Sequence, residues 1–174
     1  MEEKRLSSHP LIVPFIIGAG LFLHSNLLQA NTIQGKDIFL AKPIGLLAVN
    51  TFIYNPKTLR WKAVKNGRVI RTGRGSGGRS YCPDVKRSCR TPTGTYRIIS
   101  KRGPSCRSSR YPVGRGGAPM PYCMFFSKYY AIHGSPDVPN YNASHGCIRV
   151  KPHDARWLHQ NFLHIGSKVV VQPY

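Results

Sequence analysis

The chain has 174 residues, enough for one domain with a core of its own. It carries 26 Lys and Arg against 6 Asp and Glu, a formal net charge of +20. That field concentrates anionic partners, and so small a supply of carboxylates argues against a glycosidase or any other enzyme built on a carboxylate pair.

Lys4 and Arg5 precede an apolar run over residues 11–23, and polar His24-Ser25-Asn26 then leads to Leu28-Gln29-Ala30. This is the layout of a secretory signal cleaved after Ala30, so residues 1–30 are expected to be a signal peptide and 31–43 a linker. An uncleaved anchor is the alternative; Pro14 and the shortness of the run argue against a span, and no stable membrane insertion is expected after cleavage. Cleavage removes Glu2, Glu3, Lys4 and Arg5, whose charges cancel, and leaves Asp37, Asp84, Asp137 and Asp154 as the acids. A cytosolic protein of this charge would suggest nucleic acid. For an exported one the expectation is the anionic cell-envelope surface, no nucleic acid, and residence in the periplasm or envelope.

From residue 44 the pattern is strand-like. Residues 44–54 are aliphatic and aromatic until Asn55-Pro56, and residues 59–64 and 68–72 flank Asn66-Gly67, a strong hairpin signal. Residues 73–80, GRGSGGRS, lack the Lys-Ser/Thr and following helix of a phosphate cradle and are expected to be a flexible loop. Thr91-Pro92-Thr93-Gly94 turns into a strand at 95–100. Residues 101–121 form a basic, loop-rich insertion in which Tyr111, like Tyr122 just beyond it, either packs or stacks on sugar, packing being favoured. The arginines from Arg60 to Arg115 are spread out, which suggests a generally solvated cationic surface. Strands are expected at 122–126, 129–133, 148–150 and 168–171, and a helix opened by Pro152 or His153 and running over 154–163, with Ala155, Trp157, Leu158 and Phe162 near helical spacing and Gly166 as a stop. The expected fold is mainly β, with one packing helix.

The chemistry gathers in residues 129–150, YYAIHGSPDVPNYNASHGCIRV, where His133, His145 and Cys147 lie close in sequence. A thiol becomes a strong nucleophile when a neighbour generates or stabilises its thiolate, and histidine is the usual device. His145 precedes Cys147 by two residues and would share its face in an extended segment. The N–H groups of His145, Gly146 and Cys147 are candidate oxyanion donors, Ser144 a local support for the loop, and Arg149 a partner for a substrate carboxylate or for a structural ion pair. Zinc held by the two His and Cys147 is the alternative chemistry; no metal and no cofactor is expected.

His133-Gly134 followed by Ser144-His145-Gly146-Cys147-Ile148-Arg149 resembles the signature of the L,D-transpeptidase catalytic domain family (YkuD), and Thr91-Pro92-Thr93-Gly94-Thr95-Tyr96 is similar to its TPxGxY element. The segments Tyr81-Cys82-Pro83-Asp84 and Met120-Pro121-Tyr122-Cys123-Met124 resemble the enhanced-entry proteins within it. The resemblance implies a YkuD-like β-sandwich of mixed sheets as a catalytic domain over residues 44–174. It also implies peptidoglycan stem peptides as substrate, with Cys147 attacking the bond between the L-centre of meso-diaminopimelate and D-alanine. His133 is then the general base, oriented by a backbone carbonyl such as that of Gly134. With Cys147 kept free, four cysteines remain. Of three possible pairings, Cys82 with Cys89 and Cys106 with Cys123 are preferred because each would pin a Gly/Pro-interrupted loop; a zinc ribbon lacks a close Cys-x-x-Cys pair.

Two rivals remain. An NlpC/P60-type wall peptidase places its nucleophile before its histidine, the reverse of the order here, and a non-catalytic cationic wall-binding or host-entry protein has no need of a free thiol beside two histidines.

Overall fold

The computed structural model describes residues 49–111, 114 and 117–174. The expected signal peptide, linker and start of the domain at residue 44 lie outside the described residues. Among the described residues nine strands form one curled, mixed sheet. In chain order they are β1 (Thr51–Asn55), β2 (Arg60–Lys65), β3 (Arg68–Ser76), β4 (Gly94–Arg97), β5 (Ser100–Lys101), β6 (Met124–Phe125), β7 (Ala131–Gly134), β8 (Ile148–Val150) and β9 (Lys168–Val171). Their lateral order is β4-β9-β1-β2-β3-β8-β7-β6-β5.

Alternation drives the first half. Phe52 and Tyr54 of β1, Trp61 and Ala63 of β2, and Val169 and Val171 of β9 are buried while their neighbours face outward. The β2–β3 turn has Asn66 at φ 51° and Gly67 at φ 75°, the left-handed pair that suits a tight hairpin to the twist of its strands. β3 joins the two halves of the sheet: Arg68–Arg74 pair with β2, and Gly75 and Ser76 pair antiparallel with Val150 and Arg149 of β8.

The glycine-rich run is not the loop expected from the sequence. Gly73 to Ser76 complete β3, and Gly75, Ser76, Gly77 and Gly78 are buried. The physical reason is close backbone approach: a Cβ on Gly78 would sit 1.8 Å from the carbonyl oxygen of Cys89.

The expected helix opens at Pro152, one of the two residues expected to begin it, but changes form partway. α1 (Pro152–Trp157) starts on Pro152, whose missing N–H is harmless in a first turn, and continues as a π-helical segment, Leu158–Phe162. Ala155, Leu158 and Phe162 face the core. Lys101 Nζ donates to the carbonyls of His159 (2.5 Å) and Leu163 (2.6 Å), satisfying acceptors at the end of this segment. Among the described residues no helix is long and apolar enough to cross a membrane.

Candidate active site

β7 and β8 lie parallel, with Ile132 opposite Ile148 and His133 opposite Arg149. Ile132 and Ile148 enter the core, so His133 and Arg149 take the other face, and the alternation carried back two residues puts Ala131 and Cys147 there as well. Two strand steps and one strand spacing separate the backbones of His133 and Cys147 by about 8 Å, and their side chains leave the same face. Cys147 packs on the cluster of Cys106, Met120, Cys123 and Ala131.

The ring of His133 is fixed. Its Nδ1 donates to the carbonyl oxygen of its neighbour Gly134 at 2.9 Å, which leaves the lone pair on Nε2. Gly134 has no room for a side chain: a Cβ would lie 3.1 Å from Pro121 Cγ and 3.2 Å from Ala155 Cβ, so α1 and the Pro121 turn press on the strand behind the imidazole. Burial pulls the imidazole down to about 4, against the hydrogen bond it donates to Gly134 O, and the Arg149 guanidinium pulls the same way as burial. Burial pushes the Cys147 thiol up, partly opposed by the Ala131 N–H and the Arg149 charge. At neutral pH the pair is therefore a thiol and a neutral imidazole. A thiol in this state would act as a nucleophile only if its proton left with the attack.

The loop that precedes Cys147 is tied to the glycine bed. Ser144 N–H donates to Gly77 O (2.9 Å), Arg79 N–H to Ser144 O (3.0 Å), and Ala143 N–H to Ser76 Oγ (3.1 Å). Tyr54 Oη donates to Asn142 Oδ1 at 2.7 Å. Ser144 Oγ donates to Cys147 O (2.5 Å) and accepts from Gly146 N–H (3.0 Å), a local brace of the kind expected for Ser144. That second bond engages one of the three amides considered as oxyanion donors. The amides of His145 and Cys147 have no partner among the described residues and remain available.

The residues on either side of Cys147 are paired with acids. Arg149 Nη1 donates to Asp137 Oδ2 at 2.7 Å, the ion pair that was the alternative to a substrate contact. His145 Nε2 lies 2.8 Å from Asp84 Oδ2, and its ring stacks on Tyr111 with centroids 4.3 Å apart. The sulfurs of Cys82 and Cys89 also lie within 4.8 Å of the ligating nitrogen of His145, but they are joined in a disulfide and offer no thiolate. Cys106 and Cys123 form the second disulfide. Cys147 is the one free cysteine.

Cys147 and His145 open into a cavity of about 680 Å³. Arg87, Arg102, Arg107, Arg110 and Lys128 line it, with Tyr111, Phe125, Tyr129 and Tyr130 as its aromatic walls. The sequence did not single out these cations: Arg102, Arg107 and Arg110 come from the insertion between β5 and β6, and Arg87 and Lys128 from other connections, where periodicity carries no signal. Tyr111 is a pocket wall as well as a packing residue, whereas Tyr122 packs against His159, ring centroids 5.6 Å apart.

The L,D-transpeptidase catalytic domain model (YkuD) matches residues 49–171. The chain belongs to this family. Solved L,D-transpeptidases share the fold: one from Xylanimonas cellulosilytica at 28% identity and TM-score 0.62, covering 71% of this chain and 60% of that one. Another, L,D-transpeptidase 3 from Mycobacterium tuberculosis with a faropenem-derived adduct, is 21% identical at TM-score 0.60, covering 72% and 61%. A third, from Mycobacterium smegmatis, is 21% identical at TM-score 0.59, covering 72% and 59%. The chain thus spans about three fifths of the length of these structures. No curated protein matches it.

Proposed function

We propose that the protein is an exported cysteine acyltransferase acting on peptidoglycan stem peptides. The observation that carries this is a single free thiol, Cys147, opening into a cavity on the same sheet face as a histidine whose Nδ1 is held by Gly134 and whose Nε2 keeps its lone pair. Cys147 Sγ attacks the carbonyl between the L-centre of meso-diaminopimelate and D-alanine while His133 Nε2 takes the thiol proton. The tetrahedral oxygen is met by the amides of His145 and Cys147. Collapse expels D-alanine, whose nitrogen receives the proton from His133, and leaves a thioester. An amine then attacks the thioester carbonyl, His133 accepts its proton, and the thiol is restored; water in place of the amine gives L,D-carboxypeptidation.

Residues 44–174 form the catalytic domain in this scheme and residues 1–30 direct export. Two disulfides suit an oxidising compartment, and the +20 charge suits an anionic envelope. The test is to incubate the mature protein with a stem tetrapeptide and weigh the products by mass spectrometry. Release of D-alanine, lost in Cys147→Ala and lowered by a factor of about 100 or more in His133→Gln, supports the reading; undiminished release from Cys147→Ala contradicts it.

A further inference from the structure

The cavity in front of Cys147 has an unusual balance of charge. Arg87, Arg102, Arg107, Arg110 and Lys128 line it, and among the described residues no Asp or Glu does. The described carboxylates are committed elsewhere: Asp84 to His145, Asp137 to Arg149 and Asp154 to Arg71. None of the five cavity cations has a carboxylate partner among the described residues. Aromatic rings hold three of them instead. Arg102 lies 5.8 Å from the Phe125 centroid, and Arg110 and Lys128 lie 5.7 and 5.4 Å from that of Tyr129. Arg87 reaches the Tyr111 hydroxyl at 3.5 Å. Such contacts orient a cation without neutralising it.

Like charges gathered round one concave site repel one another, and the low-dielectric wall makes that repulsion stronger than on an open surface. A neutral ligand leaves the repulsion in place; an anion relieves it. Arg149, already paired with Asp137, does not serve. A cavity of about 680 Å³ admits a peptide segment with side chains and not merely a single ion.

We propose that this cavity is a carboxylate-recognition site that selects acyl donors bearing at least two free carboxylates, with Arg102, Arg107, Arg110 and Lys128 as the specificity-determining residues. This rests on the reading of the site as a stem-peptide acyltransferase. A single carboxylate would leave most of the gathered charge uncompensated, whereas two or more allow bidentate contacts from the guanidinium forks. A donor whose carboxylates away from the scissile bond are masked as primary amides leaves the fork donors without ionic partners, and the site discriminates against it.

The test compares two tetrapeptides that differ only in those carboxylates, free in one and primary amides in the other, with kcat/KM for D-alanine release as the readout. The wild-type protein is expected to favour the free-carboxylate donor by about tenfold or more, charged hydrogen bonds being worth about one such factor each, and the preference is expected to shrink as salt rises. In the double variant Arg107→Gln/Arg110→Gln the ratio between the donors is expected to fall below about threefold. Alkylation of Cys147 by iodoacetamide in the variant serves as the control for an intact site. Equal turnover of the two donors by the wild-type protein, or an unchanged ratio in the variant, overturns this inference and leaves the acyltransferase standing. Release of D-alanine from neither donor overturns the acyltransferase itself.

Discussion

Cys147 sits between two ion pairs, His145 with Asp84 two residues before it and Arg149 with Asp137 two residues after it. Both acids are partly exposed, so the pairs contribute little to stability. Their effect is on charge placement: Arg149 bears on both His133 and Cys147, lowering each. The proposed mechanism needs His133 neutral, and its folded value is depressed by burial to about 4, so the base is competent above that pH and protonated below it. D-alanine release should therefore rise as pH increases through about 4, stay level through neutrality, and change again only where the raised thiol ionises. In Arg149→Gln a depressing charge on the imidazole is gone, so the acidic limb should move to higher pH. A kcat/KM profile on both proteins checks this; a wild-type limb near the ordinary histidine value of about 6.5 would contradict it. The residues that bear on the thiol were legible because they cluster in sequence within residues 129–150. Asp84 was not, because its contact with His145 spans 61 positions and depends on the short turn Pro83–Val85, held between Cys82 and Cys89.

At the scale of elements, the loop that precedes Cys147 owes its position to the end of β3 and the glycines after it. The sequence shows those glycines but not why they are there, since a run of Gly and Arg reads as a flexible connection until the neighbouring backbone is known. Gly78 donates its N–H to Thr91 Oγ1 at 2.9 Å, linking the TPxGxY segment to the bed on which Ser144 lies. Gly78→Ala should therefore displace either Cys89 or the Ser144 segment, lowering both thermal stability and D-alanine release. Ser144→Ala is milder: two hydrogen bonds are lost from a buried hydroxyl, worth about 2 kcal/mol together. Urea unfolding should register that loss with an unchanged slope, and kcat should fall more than KM rises because the loop's amides lose their alignment. Most strands and the helix were readable from alternation and helical spacing, but the single strand expected at 95–100 is two, β4 and β5, at opposite ends of the sheet order, because the chain leaves one edge and joins the other between Arg97 and Ser100. The π-helical continuation was not, because the apolar positions after Trp157 suit either helix form.

For the molecule as a whole, the sheet carries the thiol and the insertion between β5 and β6 builds the wall in front of it. The Cys106–Cys123 disulfide braces that insertion and packs on the same cluster as Cys147. Replacing both cysteines by serine should cost about 3 kcal/mol for a loop of 17 residues, seen as a lower denaturant midpoint. It should also weaken substrate binding as the cavity wall loosens. The net charge was plain in the sequence, but its concentration around one thiol was not: Arg87 before β4, Arg102, Arg107 and Arg110 in the insertion, and Lys128 between β6 and β7 converge only in the folded chain. The most direct test of the central claim, that Cys147 is the nucleophile and His133 takes its proton, is intact-mass analysis after brief exposure to stem tetrapeptide. The account predicts one covalent adduct, mapped to Cys147, forming at least about 100-fold more slowly in His133→Gln. An adduct on another residue, or one that forms at an unchanged rate without the imidazole, would contradict it.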